Sequence, residues 1–248
     1  MAIEVEPSSV EAAASIEESV VLLMAPAADV MAEALAMAPQ PHDARLLDFG
    51  CGDGRGAEDL RALMPDARYV GVDIDADLVA RARERATDGQ YVVGDITDRD
   101  LVERLPDGGV DAVLCVNVLE HIPEDAAAVR NLIRALAPGG HLLILVPAFS
   151  ALYSDLDRMA GHLRRYTLAD VPRLVGGHGE VVRAHYFNAV GGVGWWVNRA
   201  ARHQSLNDQA VNGQIALFDR FIVPVARRLD PLARRWFGQS LIVVVRKP

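Results

Sequence analysis

Three groups of residues in this 248-residue chain have types and spacings that could do chemistry. The first is the stretch Asp48-Phe-Gly-Cys-Gly-Asp-Gly-Arg-Gly56, with glycines at 50, 52, 54 and 56. Glycines without a Cβ let a ligand approach bare backbone amides at the start of a helix. The second is a pair of carboxylates, Asp73 and Asp95, each standing where an apolar run ends. A carboxylate at Asp73 can accept two hydroxyls. Asp95 can accept from an exocyclic amine or order its own loop. The third group holds candidate bases and anion grips: Asn117, Glu120 and His121 after one apolar run, and Gly161-His-Leu-Arg-Arg-Tyr166 further on. His121 and His162 carry a charge state adjustable near neutral pH, which suits a general base. Arg164 or Arg165 could hold a carboxylate or phosphate in a two-pronged grip, and Tyr166 could line the pocket. Plain structural roles stand beside these. Asp48 could satisfy loop amides, His121 could bond a loop carbonyl, and the arginines could pair with the acidic N-terminal half.

The elements that must position these groups alternate along the chain. Leu46–Phe49, Tyr69–Val72, Gln90–Val93, Val110–Val116 and His141–Val146 read as strands. Ala57–Met64, Ala76–Ala86, Asp98–Leu105 and Pro123–Leu136 read as helices between them. Runs apolar throughout and separated by helices imply parallel strands buried on both faces, in a doubly wound α/β sheet with helices on both sides. Asp75 reads as a helix cap. After Pro147 the rhythm changes. Thr167 and Asp170 form a capping-box pattern for a helix ending at Val175. A strand over Glu180–Asn188, a glycine-rich bend before Trp195-Trp196, two helical stretches (Asn198–Gln204 and Gly213–Leu229) and a last strand at Leu241–Val245 complete the chain. Ser15–Met37 is a helical pattern broken near Pro26. The expected organisation is a single domain: residues 1–44 as an N-terminal helical cap, 45–148 as the ligand-binding core, and 149–248 as substrate or lid segments with the closing strands.

Composition narrows the class. The chain is 51% hydrophobic and 24% charged, enough for a sizeable core. Its net charge of −9 argues against general nucleic-acid affinity. Charge is uneven: Arg199–Pro248 holds nine Lys/Arg against three Asp/Glu. That region reads as a solvated basic face, with contact to an anionic partner or lipid headgroup ranked below it. Two cysteines, Cys51 and Cys115, sit in apolar surroundings. They read as buried thiols in a reducing, cytoplasmic setting. The acidic start has no basic n-region of a secretory signal. No Cys/His spacing of a zinc site is visible, so no metal is expected.

The glycine turn separates two cofactor classes. A dinucleotide pattern fails from Gly50, because Arg55 holds the third glycine position, and from Gly52 it matches only weakly through Gly54 and Ala57. The frame that fits the strand end is Asp48-Phe-Gly50-Cys-Gly52-Asp-Gly54. It resembles the cofactor loop of the class I S-adenosylmethionine-dependent methyltransferases. Gly71-Val-Asp73, Gly94-Asp95-Ile96, Asp111–His121 and Leu136–Pro147 resemble the family's next strands and their site ends, in order. The resemblance covers residues 45 to 148 and, more loosely, the closing strands. It implies a Rossmann-like, mostly parallel seven-stranded sheet with an antiparallel last strand. It also implies S-adenosylmethionine as cofactor and S-adenosylhomocysteine as product, held by Asp48, Gly50, Cys51, Gly52, Gly54, Asp73, Ile74, Asp95, Ile96 and Asn117. Asp73 takes the ribose and Asp95 the adenine side. His162 and its arginines resemble a segment of bacterial small-molecule methyltransferases. The expected partner is therefore a small-molecule or short-peptide acceptor of anionic character, methylated on oxygen, with nitrogen and carbon acceptors as alternatives. A nicotinamide oxidoreductase and a non-catalytic cofactor binder are the competing readings. No nucleic acid is expected, membrane contact ranks below a lid, and monomer and homodimer both fit.

Overall fold

Alternation inside the apolar runs decides the architecture. In the computed structural model, which describes residues 43–198 and 232–248 apart from 87, 99 and 102–108, successive residues of each inner strand feed opposite cores. Leu47 and Phe49, Val113 and Cys115, Leu142, Ile144 and Val146, and Leu241, Val243 and Val245 pack into one core. Leu46, Ala112, Leu114, Leu143, Leu145, Ile242 and Val244 pack into the other. A strand with both faces buried must be apolar at every position, which is how these runs read. Each such side chain contributes about 1.5–3 kcal/mol on burial, so the sheet centre is the stable part of the molecule.

The strands are β1 (Arg45–Phe49), β2 (Arg68–Asp73), β3 (Gln90–Val93), β4 (Val110–Val116), β5 (Leu136–Pro147), β6 (Glu180–Phe187) and β7 (Ser240–Arg246). They form one seven-stranded sheet in the order β3-β2-β1-β4-β5-β7-β6. β1 to β5 pair in parallel, and β7 enters antiparallel between β5 and β6. The expected mostly parallel sheet with an antiparallel last strand is therefore present. α1 (Arg55–Leu63) and α2 (Ala76–Arg85) cover one face through Ala57, Leu60, Val79 and Ala82. α3 (Asp125–Ala135) and the short α5 (Val171–Val175) cover the other through Val129, Leu132, Ile133 and Leu174. A further short helix, α4 (Asp155–Met159), lies between β5 and α5 in sequence.

Beyond shifts of one or two residues at element ends, two stretches differ from the sequence reading. β5 starts at Leu136 rather than His141, because the Pro138-Gly-Gly140 turn is absorbed into the strand as an irregularity opposite Val110 and Ala112. Gly139 sits at φ +79, and a Cβ on Gly140 would meet the Ala137 and Asp111 carbonyls at 2.9 Å, so only glycine fits there. The glycine-rich stretch before Trp195 is not a bend but helix α6 (Ala189–Asn198). Asn188, at φ +57, turns the chain and its Oδ1 accepts from the Gly191 amide at 2.9 Å. Gly192 allows the helix to lie against Phe237, which a Cβ would reach at 2.8 Å. The helix to Val175 is capped as expected: Thr167 donates from its amide and hydroxyl to Asp170 at 2.8 Å. The readings for Ser15–Met37, Asn198–Gln204 and Gly213–Leu229 lie almost wholly outside the described residues, as does most of Asp98–Leu105.

Candidate active site

The glycine turn leaves β1 and bends across the end of β2, where the Gly50 and Cys51 amides both donate to the Val72 carbonyl, at 2.8 and 3.1 Å. Gly50, Gly52 and Gly54 all have positive φ, and Gly54 leads into α1. The glycines serve different needs. A Cβ on Gly50 would stand 2.2 Å from Val118 Cγ2, so this glycine lets the loop after β4 close over the turn. Gly52 has nothing within 4 Å of its missing Cβ. Open space above a positive-φ glycine is where a ligand can approach the backbone.

Asp73 closes the turn from beside it. Its Oδ2 accepts from the Gly52 amide at 2.9 Å and its Oδ1 from the Asp75 amide at 3.0 Å. Each oxygen keeps a lone pair for a hydroxyl. Asp75 caps α2 through the Asp77 and Leu78 amides, as its position suggested. Ile74 is exposed beside Asp73. The Gly94 amide donates to the Asp73 carbonyl at 2.9 Å, which sets Asp95 next along the same sheet edge. Asp95 is exposed and accepts from the Thr97 amide and hydroxyl at 2.8 Å. Ile96 departs from expectation. Its side chain is in the core, and its carbonyl accepts from Asn131, so that side chain does not face a ligand.

Asp48 lies buried beneath the turn and accepts the Tyr69 hydroxyl at 2.7 Å, rather than loop amides. Burial, with Asp73 adding a little, pushes its carboxyl up to about 6 against the hydrogen bond from Tyr69. Burial and the Asp48 charge push the Cys51 thiol far up, so it is a packing residue and not a nucleophile. Both cysteines are buried and free, as the sequence suggested.

Backbone strain marks the rest of the site. Asn117, Phe149 and Asn188 are the non-glycine residues with positive φ among those described, and each follows the C-terminal end of a strand, β4, β5 or β6. These ends share one edge of the sheet, the edge that carries the glycine turn. Strain of this kind collects where surroundings hold a site in place. The chain after Asn117 forms a short 3-10 turn, Leu119–His121.

This turn meets the second candidate segment. The Leu163 amide donates to the Glu120 carbonyl at 2.8 Å, and the His121 and His162 rings meet edge-on with centroids 4.9 Å apart. Glu120 is fully buried, and neither of its carboxyl oxygens has a hydrogen-bond partner on another residue. Burial, partly countered by a hydrogen bond from its own backbone amide and by the Arg165 charge, pushes its carboxyl up to about 8. His162 Nε2 is 3.9 Å from Glu120 Oε1, while its Nδ1 lies 2.9 Å from Asp157 Oδ1. Partial burial and the neighbouring His162 hold His121 below the ordinary histidine range. The carboxyl and the two rings each present one ligand atom, all within 4.8 Å of one another. The sequence showed no metal spacing because this grouping arises only when Gly161, at φ +78, reverses the chain.

Arg165 and Tyr166 do not line this pocket. Arg165 is buried and holds Asp157 two-pronged at 2.8 and 3.1 Å, donates to the Ala148 carbonyl, and stacks over Trp195 at 4.9 Å. The donors expected for a substrate anion are thus bonded to the protein itself. Burial works against the Asp157 carboxylate, but bonds from His162, Arg165 and Ser154 outweigh it and hold its pKa low. An ionised Asp157 accepts from His162 Nδ1–H, which leaves Nε2 as the basic nitrogen. Tyr166 is buried, its hydroxyl directed at the Leu119 carbonyl and at Asp125. It anchors the 119–121 turn from below. Arg164 is on the surface and pairs with Asp125 at 2.8 Å. Asp157 and Asp125 went unnoticed in the sequence, where nothing distinguishes them from other surface-type aspartates.

The fit to an S-adenosyl group is read from the turn itself: open space at Gly52, a carboxylate at Asp73 with lone pairs to spare, and Asp95 next along the edge. Comparison with known proteins agrees. The family described as methyltransferase domain matches residues 47–144. The trans-aconitate 2-methyltransferase of Variovorax paradoxus is 35% identical over 46% of this chain and 43% of its own length. This chain thus spans about half the length of the curated relatives it matches. Among solved structures, a chain from the Haloferax volcanii complex of the Trm112 methyltransferase activator with a methyltransferase aligns at TM-score 0.63. It shares 17% identity over 97% of this chain and 96% of its own length. The Haemonchus contortus phosphoethanolamine N-methyltransferase 2, solved with S-adenosyl-L-methionine, aligns at TM-score 0.60. It shares 17% identity over 89% of this chain and 52% of its own. At such identities the structures speak for the fold alone.

Proposed function

We propose, for a chain whose residues 47–144 are a class I S-adenosylmethionine-dependent methyltransferase domain, that it methylates a hydroxyl oxygen of a small-molecule acceptor. The acceptor would sit at the sheet edge between the glycine turn and His162. The observation that carries this is the Asp157–His162 pair. Asp157 fixes His162 Nδ1 at 2.9 Å and leaves Nε2 turned to the Glu120 side of the cleft.

The cofactor supplies an electrophilic methyl on a sulfonium, whose neutral thioether leaves without an acid. Asp73 would take the ribose hydroxyls, Gly52 would allow close approach, and Asp95 would face the adenine end. Asp48 would add a carboxyl beneath the methionine end. His162 Nε2 would take the acceptor proton as its oxygen attacks, so charge balances: sulfonium and hydroxyl become thioether, ether and imidazolium. Asp157 would stabilise that imidazolium, and Arg165 keeps Asp157 ionised. Val118 and the 119–121 turn close the cleft over Gly50.

A carboxylate acceptor is the second reading, favoured by similarity to enzymes named for trans-aconitate. It needs no base, but it needs a cation, and the guanidiniums of Arg164 and Arg165 are engaged by Asp125 and Asp157. The two readings part on His162→Ala measured by product formation. The hydroxyl reading expects kcat to fall about 10²- to 10⁴-fold with S-adenosylhomocysteine affinity unchanged. A carboxylate acceptor would leave kcat nearly intact. A chain that binds the cofactor and methylates neither class would be a non-catalytic binder. A lid function for residues 149–248 and an acceptor of short-peptide size belong to the same proposal.

A further inference from the structure

The Glu120 carboxyl poses a question that the methyl-transfer reading leaves open. It is fully buried, and neither oxygen meets a hydrogen-bond donor on another residue. A buried carboxyl without partners is costly, and native structures keep such groups for a reason. Its nearest polar neighbours are not donors fixed on it but two imidazoles, His121 and His162. Each imidazole has one nitrogen held by the protein. His162 Nδ1 bonds Asp157 at 2.9 Å, and His121 lies with its Nδ1 against Gly161 and hydrogen-bonds that backbone. Anchoring one ring nitrogen on a carboxylate or carbonyl, with the other aimed into a shared space, is the outer shell of a metal-binding histidine.

We propose that Glu120, His121 and His162 hold a first-row divalent transition-metal ion, of the zinc or iron(II) class, which binds the acceptor's oxygen beside the cofactor turn. This rests on the methyl-transfer reading and names how its acceptor is held. Two imidazoles and a carboxylate suit that metal class, and three protein ligands leave positions open for a substrate. The ligand atoms now span up to 4.8 Å. Ligands around a tetrahedral zinc lie about 3.3 Å apart, given metal–ligand distances of about 2.0–2.1 Å. Closing the gap needs side-chain shifts of about an ångström. His121 is the exposed member, and a small tilt of its ring about the Gly161 bond brings it in. Glu120 and His162 are pinned through the Leu163–Glu120 bond and the Asp157–Arg165 pair.

The chemistry follows from the charge. A hydroxyl bound to such an ion loses its proton to water far more readily. The resulting oxygen anion attacks the sulfonium methyl, the S–CH3 electron pair returns to sulfur, and the ether forms with no proton left to move. The acceptor class is then one that can seat a hydroxyl, or a hydroxyl and an adjacent oxygen, on the open positions. His162 Nε2 has a single lone pair: with the ion bound it is a ligand and the proton leaves to water, and without the ion it is the base of the proposed function.

That test is titration of the full chain, without a histidine tag, with Co2+, read by its ligand-field absorption and by metal content after dialysis. S-adenosylhomocysteine binding is measured on the same sample. The expected result is about one cobalt per chain, weakened by about tenfold or more in both Glu120→Gln and His162→Gln. Circular dichroism and S-adenosylhomocysteine binding should be intact in both variants, since Gln preserves the shape at Glu120. A folded wild-type chain that takes up no cobalt, or takes it up equally well in both variants, overturns the proposal. If that chain still binds S-adenosylhomocysteine, the methyl-transfer reading survives and His162 is left as a base. Cobalt uptake through these residues without S-adenosylhomocysteine binding would leave a metal site and remove the transfer reading.

Discussion

At the scale of single residues, the site separates side chains that face a ligand from those that hold them there. Asp73 joins both roles, bonding the Gly52 and Asp75 amides while offering lone pairs outward. Asp73→Ala is expected to weaken S-adenosylhomocysteine binding by about 1–3 kcal/mol, the loss of a charged hydrogen-bond partner. Calorimetry checks it, and unchanged affinity would remove the ribose assignment. Arg165 has no ligand role in this account. Arg165→Ala is expected to lower the melting temperature, and to reduce kcat by freeing Asp157 and His162, with cofactor affinity kept. A rise in the acceptor KM alone, without loss of stability, would return Arg165 to the substrate. The turn and Asp73 were legible in the sequence because their partners are set by one strand–turn–helix unit. Arg165 was misjudged because its charge is matched by Asp157, which only the Gly161 reversal brings back against it. Glu120 was seen near the site, but its missing partners were not, since burial of a turn is a property of the packed molecule.

At the scale of elements, the glycine turn has two mechanical jobs, and substitution should tell them apart. Gly50→Ala forces a Cβ to 2.2 Å from Val118 Cγ2 at φ +80, so the loop after β4 must lift. It is expected to cost about 1–3 kcal/mol of stability, read by denaturant unfolding. Gly52→Ala meets no atom within 4 Å, so it should cost only about 1 kcal/mol of backbone strain. Its methyl occupies the open space over the turn instead, and S-adenosylhomocysteine binding should fall more than stability does. Equal losses from the two variants would contradict this division. Strands were read well because both-face burial imposes continuous apolar runs. α6 was not, because three glycines in ten residues argue against a helix. The close approach to Asn188 and Phe237 that favours them is invisible before the fold is known.

At the scale of the whole molecule, residues 164–173, between β5 and β6, are fastened to α3 by one buried carboxylate. Asp125, at the start of α3, takes Arg173 in two contacts of 2.7 and 2.9 Å, Arg164 at 2.8 Å and the Tyr166 hydroxyl at 3.1 Å. Burial alone would raise its pKa, but the bonds and charges of Arg173 and Arg164 outweigh it and lower it from 3.8 to about 2. A depressed carboxylate stabilises the fold above its ordinary pKa and loses that contribution as pH falls through the folded value. About 1–2 kcal/mol should therefore disappear between pH about 4 and about 2, allowing for partial solvent screening. Asp125→Asn should flatten that part of the acid-stability curve; an unchanged slope would deny the hub. No helix among the described residues is long and apolar enough to cross a membrane.

Transfer of a methyl from S-adenosylmethionine to an acceptor oxygen at this sheet edge is tested by following the methyl itself. The chain is incubated with trideuteromethyl-labelled S-adenosylmethionine and a pool of hydroxyl- and carboxyl-bearing small molecules, and the products are read by mass spectrometry. The expected result is S-adenosylhomocysteine formation matched by an acceptor carrying the label on a hydroxyl oxygen, and strong loss of both in His162→Ala. A chain that binds S-adenosylhomocysteine yet leaves all label on the sulfonium, or places it with equal rate in His162→Ala, would contradict it.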